Sequence, residues 1–189
     1  MERRRILLPH SFNPDSVDDD VWEHVVWGEP ARGIYGRQAY ALKLFLEYHA
    51  RGETPHIYFG NGSYVAHDGR SEAEYTKDFV FSRLSEIEGF GDESIRKALQ
   101  ESIFIETCFG QNTRGEVVGC FDQCMQKNLG VVVLVTSPFH APRSLRDALA
   151  LREEQRVVTL RILAEACDTN PPGCNPSGVD IKEPRHVLL

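Results

Sequence analysis

Four side chains able to bind or react follow a run of apolar residues in the second half of the chain. The run 130–135 leads into Thr136, Ser137, His140 and Arg143. Arginine offers a fixed fork of donors that fits phosphate or carboxylate, and histidine can bind an anion or move a proton near neutral pH. A continuous apolar run is typical of a strand buried on both faces of a parallel sheet. Because ligands bind beyond the carboxyl ends of such strands, the block predicts a site for a small anion.

A second polar block follows an earlier apolar segment. Gly60, Asn61 and Gly62 come directly after it, and Ser71 and Glu72 open the next helical segment. Glycines allow a tight turn and a close approach of the backbone to a ligand. The alternative interpretation is a plain turn, since glycine and asparagine are common in turns.

The third block begins at Glu106, a charged residue at the end of an apolar strand, and continues to Asn112 and Thr113 at a helix start. The free N–H groups of a helix start suit an anion, although Asn112 or Thr113 can equally be a helix cap. We expect Glu106 to orient His140 or to act with it as a base. The alternative is that His140 and Arg143 join the nearby glutamates in a structural ion-pair network.

Strand-like and helix-like segments alternate along the chain, which is typical of α/β proteins. The predicted strands are 5–8, 56–59, 102–106, 131–135 and 157–163, and the predicted helices are 36–50, 71–84, 113–128 and 142–154. Crossovers of helical length between strands predict a three-layer Rossmann-like fold, with about five mostly parallel strands and helices on both faces. We expect one α/β domain over residues 1–167 and a loop-like strap rich in proline, glycine and asparagine over 168–189.

Composition narrows the classes of function. The chain has 189 residues and a net charge of -7, which argues against non-specific binding to nucleic acid or to anionic membranes. No segment reaches the roughly 20 apolar residues of a membrane helix, and we expect a cytoplasmic protein. Cys120 and Cys124 lie one helical turn apart and are expected to be buried core residues rather than metal ligands. No metal-binding motif is found.

Taken together, the three blocks resemble the YdcF-like family, a family of unknown function that includes SanA and ElyC. The matching motifs, in chain order, are Gly60-Asn61-Gly62, Ser71-Glu72-Ala73, Glu106, Asn112-Thr113 and Thr136-Ser137-Pro138-Phe139-His140-Ala141-Pro142-Arg143. The resemblance as a whole covers residues 33 to about 154, and the last block is its most specific part. The chain departs from the family at Gly115-Glu116, where relatives tend to carry Glu-Asn. Many relatives also carry a membrane anchor, and none is visible here.

The resemblance implies a Rossmann-like sheet with a polar pocket for a nucleotide-like ligand, S-adenosylmethionine being one candidate. Our leading expectation is a pocket for a small anionic, phosphorylated or nucleotide-like molecule, with His140 and Glu106 as acid-base groups. One alternative is S-adenosylmethionine binding without turnover, with the adenine against Phe59, Tyr64 or Phe139. Another is an interaction module that uses both tryptophans and the C-terminal strap as a partner surface.

Overall fold

Short apolar strands alternate with helices along the whole described chain. The structure is a computed structural model that describes residues 4–12, 17–61, 69–106 and 112–174. In chain order the elements are β1 (Arg5–Pro9), α1 (Asp19–Val26), β2 (Gly28–Glu29), β3 (Ile34–Tyr35), α2 (Arg37–Ala50), β4 (His56–Phe59), α3 (Glu72–Ser82), α4 (Glu93–Glu101), β5 (Ile103–Ile105), α5 (Thr113–Lys127), β6 (Val131–Thr136), α6 (Ala141–Glu154) and β7 (Arg161–Ala166).

Five of the strands form one sheet in the order β5-β4-β1-β6-β7, and every pairing in it is parallel. In the centre, Leu7 of β1 lies between Ile57 of β4 and Val133 of β6. Strands β4 and β6 are buried along their full length, as expected for central strands covered on both faces. The predicted parallel sheet is confirmed.

Helices cover both faces because successive side chains of a strand point to opposite sides. On one face Leu7 and Val133 pack in a cluster with Leu42 of α2 and Leu99 of α4. On the other face the neighbouring strand residues pack with Phe121 of α5 and with residues of α6. The expected three-layer Rossmann-like arrangement is therefore confirmed.

The last strand begins later than the sequence predicts. The predicted range 157–163 is wrong at its start, since β7 runs from Arg161 to Ala166 and pairs from Arg161 with Val131. The apolar residues just before it form a turn after α6, where Arg156 adopts a positive φ of 57°. The turn and the strand both contain apolar residues, so composition alone did not distinguish them in the sequence.

Two features lie outside the predicted elements. Helix α4 is amphipathic and short, and the Asp92 side chain caps it by accepting from the backbone N–H of Ser94. Strands β2 and β3 form a small antiparallel hairpin before α2. Gly36 follows that hairpin directly. A Cβ added to Gly36 would lie only 2.5 Å from the backbone nitrogen of Trp27. Only a glycine fits this approach, which brings the start of α2 to the sheet.

The two tryptophans are core residues. Trp22 is 2% exposed and Trp27 is fully buried, and the Trp27 indole N–H donates to Glu86 Oε2 at 2.8 Å. They offer no surface to a partner protein. The first part of the C-terminal strap is bonded to the hairpin, since the Asp168 carboxylate accepts from the backbone N–H of Tyr35 at 2.9 Å. Residues 175–189 lie outside the described residues.

Cys120 and Cys124 are fully buried, as predicted. Burial raises the pKa of the Cys120 thiol, which keeps it protonated. No helix within the described ranges is both long and apolar enough to cross a bilayer.

Candidate functional site

The sheet has one point at which its strand order reverses. From β1 the chain moves outwards to β4 and β5, then returns to the other side of β1 as β6. The segments that leave β1 and β6 therefore diverge to opposite faces of the sheet at the carboxyl ends of the two strands. In open α/β sheets this switch point is where ligands bind.

The block after β6 lies at this point, as predicted. Thr136, Ser137 and His140 are buried, and Arg143 is exposed on the first turn of α6. The Ser137 carbonyl accepts from the backbone N–H of His140 at 2.8 Å and of Ala141 at 3.0 Å, which turns the chain directly into α6. Pro142 lies in that first turn, where its missing N–H costs nothing.

The hydrogen bonds of His140 define its protonation. Arg143 donates from Nη2 to His140 Nε2 at 2.9 Å, so Nε2 must be an acceptor. The proton is then on Nδ1, which lies 3.0 Å from Thr136 Oγ1 and donates to it. Burial is the main reason why the pKa of His140 falls to about 3, and the positive charges of His10, Arg37 and Arg143 lower it further. The imidazole is neutral at pH 7 in this arrangement.

Arg37 is a site residue that the sequence analysis missed. It is the first residue of α2 and is 4% exposed. Its Nε donates to Ser137 Oγ at 3.1 Å, and its Nη1 donates to the Ser11 carbonyl at 2.8 Å. Within the described ranges, Nη2 has no hydrogen-bond partner and no carboxylate lies within ion-pair distance. Burial lowers the pKa of Arg37.

A signal for Arg37 was present in the sequence. A cation in the first turn of a helix opposes the partial positive charge there, so an arginine in that position is unfavourable unless something else requires it. Its guanidinium lies over the ring of Phe12 at 5.2 Å, in the segment after β1.

Behind His140 lies a buried relay of three residues, Glu116, His10 and Ser144. His10 Nδ1 lies 3.0 Å from Glu116 Oε2, and His10 Nε2 is hydrogen-bonded to Ser144 Oγ. Burial would raise the pKa of Glu116, but the hydrogen bonds from His10 and Ser11 hold it below its ordinary value. The carboxylate is thus ionised, and His10 donates to it. The rings of His10 and His140 are 5.4 Å apart.

The relay has the order acid, imidazole, hydroxyl that is found in nucleophilic triads. Ser144 is only 1% exposed, however, and His10 and Glu116 are fully buried. The hydroxyl is therefore covered in this structure, and the two hydrogen bonds hold the His10 ring between Glu116 and Ser144. From the sequence, Glu116 was noted only where the chain departs from the family pattern, and it was assigned no role.

Glu106 is on a different part of the same edge. Its carboxylate accepts from the Tyr58 hydroxyl, while the two hydrogen bonds of the His140 ring go to Thr136 and Arg143. The structure therefore does not bring Glu106 and His140 into hydrogen-bond contact. Burial, followed by the bond to Glu106, raises the pKa of Tyr58.

The glycine block is brought to the site by close packing. An ideal Cβ on Gly60 would lie 2.8 Å from Glu116 Cγ, so the glycine lets β4 approach the relay. Asn61 connects two elements: its Nδ2 donates to the Glu106 carbonyl at 3.0 Å, and its Oδ1 accepts from the N–H of Ala73 at 2.9 Å. Gly62 lies outside the described residues.

The remaining site residues predicted from the sequence lie at the N-termini of two helices. Ser71 forms a capping box with Glu74 at the start of α3, and the buried Glu72 follows it. Asn112 is the N-cap of α5, since its side chain accepts from two backbone N–H groups of the first turn. Thr113 is the first residue of that helix. The capping interpretation that the sequence left open is confirmed for Asn112.

A cleft of about 420 Å³ lies at the other end of the sheet, where the strands begin. Its lining includes Arg4, His49 and His56, and none of the expected site residues. Over the described ranges, no group of three or more histidine, cysteine, aspartate or glutamate side chains is arranged to hold a metal ion.

A scan against protein-family models finds no match, and neither a curated protein nor a solved structure matches the chain.

Proposed function

We propose that this protein binds a small anionic molecule, phosphorylated or nucleotide-like, at the switch point between β1 and β6. His140 is the group that would exchange a proton with the bound molecule. We further propose a cytoplasmic protein of the YdcF-like family, on the motifs quoted above.

The observation that carries the proposal is the buried guanidinium of Arg37. Taking a charge out of water is costly unless the charge is paired and hydrogen-bonded. Arg37 is 4% exposed and is held by Ser137 and Ser11, which are neutral partners. Glu116 and Glu72 act on the guanidinium only at longer range. A bound anion would place a negative charge directly against it, and Nη2, which has no hydrogen-bond partner among the described residues, would donate to the anion.

Arg143 supplies a second positive charge at the mouth of the site. It is exposed, and its only hydrogen bond among the described residues goes to the neutral ring of His140. Because this bond is weaker than one to a charged acceptor, the guanidinium can turn from His140 to an anion at little cost. Arg37 would then bind the ligand from the buried side of the site, and Arg143 would bind it from the solvent side.

The charges favour phosphate over S-adenosylmethionine. The sulfonium of that cofactor is positive and would lie near two guanidinium groups. Of the rings expected to hold its adenine, Phe59 is buried in the core, Phe139 is exposed, and Tyr64 lies outside the described residues. A partner surface built on the tryptophans is not supported either, because both are buried.

The test is calorimetric titration of the wild type, Arg143→Ala and Arg146→Ala with inorganic phosphate, AMP and S-adenosylmethionine. Arg146 is the matched control, since it is exposed on the same helix and pairs with Asp147. We expect Arg143→Ala to weaken phosphate or AMP binding at least about tenfold, with Arg146→Ala unchanged. Equal binding by all three proteins, or binding of S-adenosylmethionine alone, would overturn the proposal.

A further inference from the structure

Three cationic or basic groups from two helices meet at the switch point, and we call them the cation cluster: Arg37, His140 and Arg143. Arg37 enters from the start of α2, while His140 caps α6 and Arg143 lies in its first turn. Arg37 and His140 are at least nine-tenths buried. Among the described residues, no carboxylate forms an ion pair with the cluster.

Within the cluster, the Arg143 guanidinium covers one ring nitrogen of His140. With its Nδ1 proton donated to Thr136 Oγ1, the His140 ring presents an unprotonated Nε2, and the Arg143 guanidinium covers that nitrogen at 2.9 Å. If Arg143 turns to an anion, Nε2 is uncovered on the side from which the anion arrives. A neutral Nε2 would face the anion with a lone pair, which is repulsive, whereas a protonated Nε2 would donate to it.

We propose that the site takes up a dianionic phosphate group together with one proton, which binds to Nε2 of His140 as Arg143 moves to the ligand. This inference rests on the proposed function and names its substrate class: a phosphate monoester rather than a diester. The proton comes from hydronium or the buffer acid, whose bond to it breaks as the N–H bond forms at Nε2, and no other covalent bond changes.

The surroundings of His140 explain why a dianion is needed. The charged and titratable groups facing it, among the described residues, are His10 after β1, Arg37 from α2 and Arg143 from α6, and all of them oppose a proton there. Glu116 of α5 lies behind His10 and is occupied by it. One negative charge would balance one arginine only. Two negative charges would balance both, which leaves the imidazole free to protonate.

The test uses sulfate as the probe, because sulfate remains a dianion through the range in which histidine titrates. Calorimetric titration at about pH 6 in MES and in imidazole, two buffers with different ionisation enthalpies, reports the protons exchanged by the protein itself. The proteins compared are the wild type, His140→Gln and the control His24→Gln, where His24 is an exposed histidine of α1. AMP and cyclic AMP, titrated into the wild type, compare a monoester with a diester.

We expect the wild type and His24→Gln to take up about 0.5–1 proton per sulfate, and His140→Gln to take up fewer than about 0.2. We expect AMP to bind at least about tenfold more tightly than cyclic AMP. Sulfate binding by the wild type with the same enthalpy in both buffers would overturn this inference alone, and so would equal affinity for the two nucleotides. No binding of sulfate, phosphate or AMP to the wild type would overturn the proposed function itself. The wild-type buffer comparison needs no variant, so the test stands even if His140→Gln does not fold.

Discussion

At the scale of single residues, the site is built from charges held in unfavourable places. Arg37 is a buried cation at the positive end of a helix, without a carboxylate partner in the described chain. His140 is a histidine kept neutral among positive groups. Groups whose pKa values are displaced by burial and by neighbouring charges gather at functional sites more often than elsewhere. A bound anion would offset the positive charge at both residues.

The first prediction concerns the pH dependence of stability. The folded-state pKa of His140 is about 3, below the ordinary value of 6.5, so the unfolded chain binds this proton first as the pH falls. His140 therefore costs nothing at pH 7 and destabilises the wild type progressively as the pH falls from 6.5 towards 3. His140→Gln removes that loss. Relative to the wild type, its free energy of unfolding should rise by about 2 kcal/mol between about pH 7 and pH 5.

The measurement is urea denaturation of both proteins at the two pH values, with His24→Gln as the control. A stability difference between His140→Gln and the wild type that stays constant with pH would show that His140 is not held neutral in the folded protein. The control should show no such change, because His24 is exposed.

At the scale of elements, helix α5 packs closely against two buried carboxylates at the sheet edge: Glu116, which it carries, and Glu106, which follows β5. It carries Glu116 to His10, and the absence of a side chain at Gly119 leaves room for the Tyr58–Glu106 pair. Gly60, directly after β4, likewise leaves room for the Glu116 side chain. The helix can approach the strands this closely because glycines stand where the polar side chains of its neighbours need space.

The second prediction follows from that packing. Gly119→Ala should destabilise the protein by about 1–3 kcal/mol, although alanine is the better helix former by about 1 kcal/mol. The physical reason is that a Cβ at this position would overlap the Glu106 carboxylate and the Tyr58 hydroxyl. Thermal and chemical denaturation of the variant measure the effect.

Gly91→Ala is the matched control, because Gly91 is exposed and an added Cβ there meets nothing within 4 Å. Its effect should lie within about 0.5 kcal/mol of zero. If Gly119→Ala were as stable as Gly91→Ala, the close approach of α5 to the sheet edge would be wrong.

At the scale of the whole molecule, the sequence predicted the architecture because its strongest signals are local. The apolar run of β6 and the capping box at Ser71 identify a buried strand and a helix start without any long-range information. The last strand was placed too early because the turn before β7 is also apolar. Helix α4 was not predicted because it has only nine residues and only Leu99 among them is buried, so few apolar positions mark the helix in the sequence.

The site was harder to predict because its members depend on strand order. The block after β6 was found from spacing alone, and its place at the switch point follows once the order β5-β4-β1-β6-β7 is known. Arg37 and Glu116 come from helices distant along the chain, and their contacts with Ser137 and His10 have no local signature. The expected contact between Glu106 and His140 failed for the same reason, since two strand ends on one edge need not be neighbours.

The most direct test of the account is the position of a bound dianion. Crystals grown with tungstate, a heavy analogue of phosphate, would locate the ion by its anomalous scattering. We expect a tungstate at the carboxyl ends of β1 and β6, with oxygens about 3 Å from the guanidinium nitrogens of Arg37 and Arg143. An ion found instead in the cleft beside Arg4 and His56, with the switch point unoccupied, would contradict it.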